Sequence, residues 1–571
     1  MRNFAESPQF AASGPSQKKV SLAARWAITG LFVIHLALAG FLAWHQSPTQ
    51  DEVAHLPAGL CVWRFGRTDL YLVNPPLVRA WAAIPLLFVD HAENWTHDVP
   101  HSPRRCEWDV GADFVAANGE RSLWLYTLAR WMCLPISVVG LWVCWRWGSE
   151  LCGEYGGLLA AALWCFSPNL LSHGALITSD VAATAFGLLA AWRYSHWLDQ
   201  SNWKNALLAG PALGLALLAK TYWIILPPLW LLLGSVELWR TRVPRRRRAM
   251  ALQLIIVLAL GLHLLNMGYG YQGTGRRLDQ YDFFSKLLSG SARSLEFDAP
   301  GNRFRGHWVG EVPVPFPRDY VRGIDIQQQD LDREHWSYLL GEYRQSGWWY
   351  YYLVGLAVKV PLGTWCLVLL GIVASQRHPD SSSRWRSLCP LWTSTLILFV
   401  LVSAETGMNR HVRYVFPVLP LLYLTAAQAV SLNQKWLVAL PLAGVITASL
   451  VVYPHSLSFF NFLCGGPTNG SAVLLDSNID WGQDLIAARN WIRAHPEYRP
   501  VTLACLHNFS PEALGIDVPD TPPGRLTAGW HLISVHLLND PHGTFAVYRN
   551  RVPVDRIGFS FNIYHVPDPV D

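Results

Sequence analysis

Charged side chains are scarce in this sequence. Asp, Glu, Lys and Arg make up 15% of its 571 residues, and hydrophobic residues make up 51%. Soluble domains carry about a quarter charged residues, so the deficit indicates a membrane protein rather than a soluble one. The net charge of +5 is modest and implies no nucleic-acid partner.

Cysteine is also sparse, because ten cysteines in a chain of this length do not make a disulfide scaffold. Cys61 and Cys106 both fall in a segment that we predict to lie outside the cytoplasm, where a disulfide can form, and we predict that they are bridged. Cys464 and Cys505 are the other external pair, which leaves cross-pairing open. Four more fall in apolar runs and are interpreted as packing residues: Cys133, Cys144, Cys165 and Cys366.

Long apolar runs are what the sequence has instead. Windows of about 18 apolar residues are long enough to cross about 30 Å of hydrocarbon as a helix. Lys220 interrupts one long run, which predicts either a hairpin or one kinked element there. We predict about eleven spans, near 23–44, 122–146, 156–173, 179–197, 205–219, 221–238, 249–267, 348–373, 387–403, 412–430 and 436–453.

The charged loops predict the orientation of these spans. With residues 1–22 as a cytosolic tail, the Arg-rich stretches at 240–248 and 377–386 fall inside, as the positive-inside rule requires. The predicted fold is an α-helical polytopic membrane domain over 23–453. Two loops, 46–121 and 268–347, then lie outside.

The segment 454–571 also lies outside in this topology and contains no apolar span. A helix-like stretch at 483–495 is followed by strand-like stretches at 500–506, 531–538 and 543–549. This alternation predicts a small extracytoplasmic α/β domain.

Acidic residues stand at the outer ends of two spans. Asp51 and Glu52 follow the first span, and Asp180 begins another in a very short loop. Ionisable groups at membrane depth are costly, which favours a functional role. The alternatives are that the pair merely solvates a loop, as we expect for Asp69, and that Asp180 caps a helix.

Cations stand at outer span ends as well: Arg410, His411 and Arg413 before one span, and Lys220 at another. A guanidinium binds phosphate as a bidentate fork, so a lipid phosphate is a candidate partner. An ion pair with Glu405 or a headgroup contact is the alternative. Acids and cations at one surface suit group transfer from a lipid phosphate, since a carboxylate deprotonates a hydroxyl and cations stabilise the leaving phosphate.

Four motifs carry a resemblance to a known family: "DE" at 51–52, "NPPL" at 74–77, "SPNLLSHGALITSD" at 167–180 and "RHVRYVFPVLPLL" at 410–422. The segment at 459–485, which ends in "DSNIDWGQDL", is similar to one in some bacterial members. The chain resembles membrane glycosyltransferases of the GT-C superfamily, above all the dolichyl-phosphate-mannose–protein mannosyltransferase branch and bacterial relatives that use polyprenyl-phosphate sugars.

The resemblance implies roles for particular residues. Asp51 would be the general base or its positioning carboxylate, Glu52 would support it or contact the acceptor, and Asp180 would be the second acid. The donor phosphate would be held by Arg410, Arg413 and Lys220. The residues expected to bind substrate are His55, Asn74, His411 and Tyr414. A helix at 75–88 would lie along the membrane surface.

The resemblance also implies partners and location. The donor would be a polyprenyl-phosphate sugar, and the acceptor a protein, lipid or glycan at the outer face of a bacterial inner membrane. Transfer would invert the anomeric carbon in one displacement, without a nucleotide site. No particular cofactor is implied. A divalent cation is left open, since several His and one Glu of the first loop could host one, although they lack a recognised ligand spacing.

Two other function classes remain. A lipid or solute transporter or flippase would show paired broken helices and charges near the midplane of the membrane. A sensor would use the external domain, whose loop at 476–484 could bind a sugar or an ion. We interpret that loop, however, as a capped turn before a helix.

Overall fold

A computed structural model describes residues 21–100, 105–290, 300–333, 335–377, 387–506 and 509–567. Most of the predicted cytosolic tail and most of the basic stretch 377–386 lie outside the described residues. The α-helices are Leu22–His45, Gln50–Phe65, Leu77–Ala83, Glu107–Asn118, Arg121–Cys165, Pro168–Gly174, Ser179–Asp199, Trp203–Ala219, Leu226–Arg240, Pro244–Gly268, Lys286–Ser289, Arg318–Asp332, Tyr351–Lys359, Leu362–Gln376, Cys389–Ala404, Val418–Ala426, Trp436–Val452, Leu485–Ala494 and Val535–Leu538.

Judged by helix length and composition, the structure has fewer membrane-spanning helices than the eleven predicted. Among the described residues, four helices are long and apolar enough to cross a membrane, or six if two bent pairs each count as one span. Shorter apolar helices stand at most of the other predicted positions, for example Trp203–Ala219 and Cys389–Ala404. The apolar runs therefore do form helices, but breaks divide several of them.

Proline and glycine account for two of these breaks. The predicted span 348–373 consists of Tyr351–Lys359 and Leu362–Gln376, bent by 104° at a break that contains Pro361. In the helix Arg121–Cys165, Gly153 adopts φ 74° and ψ −178°, a conformation open to glycine, and joins two helical stretches. Gly153 lies between the two predicted spans 122–146 and 156–173.

The break predicted at Lys220 is confirmed. The helix Trp203–Ala219 ends there, and the Lys220 backbone is extended, with φ −156° and ψ 140°. The chain resumes as a 3₁₀ turn, Thr221–Ile225, and then as the helix Leu226–Arg240. The extended residue leaves the Lys220 side chain at a helix terminus instead of inside a helix.

The predicted outer loop 46–121 is largely helical. The helix predicted within 75–88 is present as Leu77–Ala83 followed by the 3₁₀ turn Ile84–Phe88, and its position along a membrane surface stays a prediction. Arg79 points inward, is 2% exposed, and donates hydrogen bonds to the carbonyl oxygens of Tyr71 and Asn74. This guanidinium satisfies buried carbonyls of the "NPPL" turn, which would otherwise cost stability.

The described strands form two sheets. β1 (Ser337–Leu339) and β2 (Glu342–Arg344) make an antiparallel hairpin. β3 (Val501–Ala504), β4 (Gly529–Ser534), β5 (Asp555–Ile557) and β6 (Phe561–Val566) make a four-stranded sheet in the order β3-β4-β6-β5. β3 and β4 are parallel, with Leu503 opposite Leu532, and the other pairings are antiparallel.

Several predictions for the C-terminal segment are confirmed. The helix expected at 483–495 is Leu485–Ala494, and the strand expected at 500–506 is β3. The stretch 531–538 is the end of β4 followed by a short helix. The strand predicted at 543–549 is wrong, because a 3₁₀ turn, Ala546–Tyr548, stands there and the hairpin β5–β6 occupies the edge of the sheet.

The C-terminal segment packs directly on the helices. A single hydrophobic cluster joins Val53 and Leu125 to Leu485 and Leu503. Two backbone bonds tie the start of the helix Gln50–Phe65 to the motif at 481–485, since the Ser47 N–H donates to Gln483 O and the Gln50 N–H to Trp481 O. This pairing places the acid pair beside the C-terminal motif.

The predicted Cys61–Cys106 disulfide is wrong, because neither thiol is bonded in the structure. Cys61 is 0% exposed and packs in an apolar cluster with Ala58 and Val110. Burial raises the pKa of its thiol to about 12. Disulfide formation proceeds through the thiolate, so this environment disfavours it. Cys464 and Cys505 are not bridged either.

Candidate active site

A cavity of about 240 Å³ lies where the first loop, the 410–413 segment and the C-terminal segment meet. Each of these three parts of the chain contributes charged side chains to its wall. The lining residues are Gln50, Asp51 and Trp108; then Arg410, His411 and Arg413; and then Asp476, Asp480, Trp481, Gly482, Leu506 and His536.

The two adjacent acids of the first loop point to different places. Asp51 and Glu52 lie in the first turn of the helix Gln50–Phe65, where carboxylates interact favourably with the helix dipole. Successive helical side chains diverge by about 100°. Asp51, whose side chain is 23% exposed, lines the cavity, and Glu52 is fully buried.

Glu52 is held by a network that leaves it no route to a substrate. Arg130 grips its carboxylate through two bonds, of 2.8 and 2.6 Å. The Ile177 N–H donates to it at 2.8 Å and the Thr49 N–H at 2.9 Å. Burial would raise the pKa of Glu52, but Arg130 and these hydrogen bonds hold it below its usual value. The geometry fits the supporting role predicted for Glu52, not contact with an acceptor.

Arg413 is the centre of a chain of opposite charges. Its Nη2 lies 3.1 Å from Asp51 Oδ2, and its Nη1 lies 3.8 Å from Asp180 Oδ2. Asp180 also accepts a short hydrogen bond from Lys220 Nζ. Two carboxylates and two cations therefore alternate, and only Asp51 and Arg413 of the four line the cavity. The alternative ion pair with Glu405 is not the one that Arg413 forms, because its carboxylate partners are Asp51 and Asp180.

Breaks in helices bring this chain of charges together. Asp180 begins the helix Ser179–Asp199 after a bend of 113° from Pro168–Gly174, and Lys220 stands at the extended residue described above. Arg413 lies in the short 3₁₀ turn Val412–Val415. Because each group sits at a helix terminus, its charged end can reach the same point without crossing the apolar core.

The Arg413 guanidinium is held in a fixed orientation but keeps an unused hydrogen-bond donor. The Trp481 ring lies under it, with the guanidinium carbon 4.0 Å from the ring centroid. The side chain is 7% exposed, yet its Nε has no hydrogen-bond partner in the described part of the chain. A buried unpaired N–H is costly, so this atom indicates a place for an additional acceptor.

Asp476 contacts the basic side chains of Arg410 and His411 in the cavity. Its carboxylate lies 3.3 Å from Arg410 Nε and 3.4 Å from His411 Nδ1. Burial would raise the pKa of Asp476, but His411 and Arg410 hold it below its usual value. Asp476 adopts φ 61°, an uncommon conformation for a non-glycine residue that recurs at functional sites.

Asn478 fixes this loop to the basic segment. Its side-chain oxygen accepts from the Val412 N–H at 3.0 Å, and its amide donates to Arg410 O at 2.7 Å. Lys359 Nζ donates to the Asn478 carbonyl oxygen at 2.6 Å. The 476–480 loop and the 410–413 segment are therefore in fixed register, and the cavity between them is preformed.

The other predicted substrate-binding residues do not line the cavity. His55 stacks on Tyr71 with 4.4 Å between ring centroids, and burial lowers its pKa to about 3. Asn74 accepts a hydrogen bond from Ser179 Oγ at 3.2 Å. Tyr414 lies behind the cavity, with the Lys220 ammonium 5.0 Å from its ring centroid. These residues support the site, whereas His411 does line it.

Five of the acidic or aromatic lining residues were not predicted as site residues: Trp108, Asp476, Asp480, Trp481 and His536. The loop at 476–484 was interpreted as a capped turn. The signal that could have found three of them is the concentration of carboxylates, Trp and Gly in "DSNIDWGQD", which is dense for a simple turn.

Metal binding finds no structural support in the described ranges. No group of three His, Cys, Asp or Glu side chains there is arranged to hold an ion. Two of the cavity acids are instead in ion pairs, Asp51 with Arg413 and Asp476 with Arg410 and His411. We therefore derive no step through a metal ion.

Comparison with known proteins supports the resemblance found in the sequence. Residues 126–263 match a family model described as dolichyl-phosphate-mannose–protein mannosyltransferase. The predicted resemblance is confirmed over this segment. It covers the long helix that carries Arg130 and the helix breaks that carry Asp180 and Lys220, and it indicates a glycosyltransferase. A comparison with curated proteins finds no significant match.

Solved structures are also similar to this chain, at low sequence identity. ArnT from Cupriavidus metallidurans matches at 12% identity over 95% of this chain and 98% of that one, with a TM-score of 0.45 in the apo state. The same protein bound to undecaprenyl phosphate matches at 12% identity with the same coverage and a TM-score of 0.48. An apo oligosaccharyltransferase from Archaeoglobus fulgidus matches at 12% identity over 87% of this chain and 64% of that one, with a TM-score of 0.45.

Proposed function

We propose that the protein transfers a sugar from a polyprenyl-phosphate-linked donor to a hydroxyl of an acceptor at the outer face of the membrane, with inversion in one displacement. The acceptor is a protein, lipid or glycan. Asp51 is the general base of this reaction, and Arg413 with Arg410 holds the donor phosphate.

The observation that carries the proposal is the state of Arg413. Its guanidinium faces a cavity, is fixed by Asp51, Asp180 and Trp481, and keeps one buried N–H without a partner. A phosphate oxygen supplies the missing acceptor, because guanidinium and phosphate match in charge and in fork geometry. Arg410 adds a second cation on the same wall.

Asp51 is the carboxylate placed to accept a proton. It lines the cavity, and its 23% exposed side chain is reachable from outside, in contrast to Asp180 with 3%. In the proposed step, the acceptor oxygen bonds to the anomeric carbon while the bond from that carbon to the phosphate oxygen breaks. The hydroxyl proton passes to Asp51, and polyprenyl phosphate leaves with the bonding electrons, stabilised by Arg413.

The transporter alternative predicted broken helices, and two bent helix pairs are indeed present. Both breaks serve the cavity. The 113° bend places Asp180 beside Arg413, and the 104° bend follows Lys359, which fixes Asn478 and the cavity wall. Broken helices that build a site with a base and a phosphate-binding cation favour chemistry over transport.

The test is sugar transfer from defined donors. Membranes that contain the protein are mixed with radiolabelled undecaprenyl-phosphate hexoses, and label is followed into protein, lipid and glycan fractions. We expect at least one donor to give transfer that exceeds membranes carrying Arg413→Ala by tenfold or more, given the usual worth of such stabilising contacts. Equal labelling with both proteins for every donor would refute the proposed role of this site.

A further inference from the structure

One wall of the cavity is not used by the proposed chemistry. Asp51, Arg410 and Arg413 stand on the side formed by the first loop and the 410–413 segment. The rest of the lining comes from the C-terminal segment and from Trp108, which also belongs to the first loop, and it includes Asp480, Gly482 and His536. The base and the phosphate-binding groups are accounted for without it, so this wall has a separate role.

Asp480 is held rigidly at this wall. Ser534 Oγ donates a short hydrogen bond to its Oδ2, and the Gly482 N–H donates to its Oδ1 at 3.2 Å. Gly482 has φ 86°, which a residue with a Cβ rarely adopts, so the turn that aims this N–H requires glycine. A carboxylate has about four lone-pair sites, so two bonds leave acceptor capacity for a ligand.

Trp108 supplies an aromatic surface and an unused donor. Arg105 covers its ring, with the guanidinium carbon 4.4 Å from the centroid, and fixes its orientation. Its indole Nε1 is buried and has no hydrogen-bond partner within the described ranges. His536, on the helix that follows β4, adds a third polar group and accepts from the Asp476 N–H at 3.2 Å.

A fixed carboxylate and an aromatic ring that line the same cavity suit a sugar. The carboxylate accepts hydroxyl hydrogens, the indole N–H donates to a ring oxygen or hydroxyl, and the apolar face of the sugar packs on the ring. A cavity of about 240 Å³ has room for a unit of monosaccharide size and not for a long glycan. The sugar next to the donor phosphate must occupy this same cavity, since it is covalently joined to that phosphate.

We propose that Asp480, with Trp108 and His536, is the subsite that recognises the hydroxyls of the sugar being transferred and so determines donor specificity. This inference rests on the proposed function, because it takes the phosphate to be bound at Arg413. Asp480 here contacts the sugar but takes no proton in the reaction. The C-terminal segment thereby becomes part of the substrate site.

The test separates binding of the sugar from binding of the lipid phosphate. Affinities of the purified full-length protein in nanodiscs are measured for undecaprenyl phosphate alone and for undecaprenyl-phosphate glucose, galactose and mannose. We expect at least one sugar to tighten binding relative to the bare lipid. In Asp480→Asn this increment should fall by about tenfold or more, the usual worth of a hydrogen bond to a charged group, while affinity for undecaprenyl phosphate stays unchanged.

Asp484→Asn is the matched control. Asp484 is buried in the same motif but bonds to His455 and Ser560 and does not line the cavity. Melting temperatures verify that both variants are folded. If Asp480→Asn unfolds, Trp108→Phe repeats the test by removing the indole N–H together with the five-membered ring. An unchanged sugar increment in the folded variant would overturn the inference, as would a loss confined to acceptor KM. Failure of the wild type to bind any of these lipids would instead refute the proposed function.

Discussion

Asp51→Asn is the most informative single substitution at this site. It replaces a carboxylate by a nearly isosteric amide, so the helix Gln50–Phe65 and its packing should survive. The 3.1 Å contact to Arg413 can persist through the amide oxygen. What changes is charge, because Asp51 and Asp180 balance Arg413 and Lys220 in the wild type, and the variant leaves one positive charge in excess.

The expected size of the effect follows from these contacts. Loss of a general base usually lowers the rate by about 10²–10⁴-fold. The variant should stay folded but lose some stability, because removing the charge of one partner of a mostly buried ion pair leaves the Arg413 charge in excess. The extra positive charge beside the phosphate site should keep donor affinity equal or strengthen it. We therefore expect kcat to fall by at least a hundredfold, with an unchanged or lower KM for the donor.

The assay is transfer from the preferred undecaprenyl-phosphate sugar, measured beside thermal melting in detergent. Asp69→Asn would be a poor control, although the sequence suggested an exposed acid. Its side chain is 1% exposed and lies 3.0 Å from Arg67 Nε. Asp109 is a better choice, because it is an exposed acid in the first turn of the neighbouring helix Glu107–Asn118. Asp109→Asn should keep nearly full activity.

If Asp51→Asn retained more than about a tenth of the wild-type rate, the loss would be smaller than a general base usually contributes. Asp51 would then not be the base. A rise in donor KM with unchanged kcat would also contradict the argument, because it would make Asp51 a ground-state binding group.

Three further predictions concern neighbouring charges. In transfer kinetics, Arg413→Ala should lower kcat by about 10²–10³-fold and raise the donor KM. Arg413→Lys should restore activity only in part, because an ammonium lacks the bidentate fork of the guanidinium. Glu52→Gln should lower the free energy of unfolding by about 3–5 kcal/mol by leaving Arg130 unpaired, whereas Glu93→Gln at the half-exposed pair with Arg64 should be nearly neutral in thermal melting. Burial raises the pKa of Asp480 from 3.8 to about 6, so the folded state binds more protons than the unfolded state between these values, and stability should fall as pH rises through them. The melting temperature of Asp480→Asn should lack this pH dependence. Equal dependence of the melting temperature on pH in the variant and the wild type would contradict the assignment.

The sequence was sufficient for the class of protein and for several local features. Low charge and long apolar runs predict helices because an apolar segment satisfies its own backbone hydrogen bonds only in that form. The break at Lys220 was visible because a charge interrupts an apolar run. The span count could not be predicted, since runs such as 348–373 bend sharply at Pro361 and a hydropathy pattern does not record direction. The side of the membrane on which 454–571 lies stays a prediction.

The site was predicted from the sequence only in part. Asp51, Arg410, His411 and Arg413 were selected as ionisable groups beside apolar runs, where charge is costly, and all four line the cavity. The sequence could not show which acid of the pair faces the cavity. That depends on Arg130, which pairs with Glu52 and lies 78 residues away from it in the sequence. The same holds for the failed disulfide, since burial of Cys61 is a property of the packed cluster.

The sequence by itself determined the membrane class, the family resemblance and the charged groups that are candidates for the site, because hydropathy and charge are local properties of the chain. Tertiary structure alone decided that the motif at 476–484 lies beside Asp51 and Arg413 instead of ending in a simple turn. That placement depends on hydrogen bonds between distant segments, from Asn478 to the 410–412 backbone and from the 47–50 backbone to 481–483. Such contacts between distant segments leave no periodic pattern in the sequence, and they build the cavity.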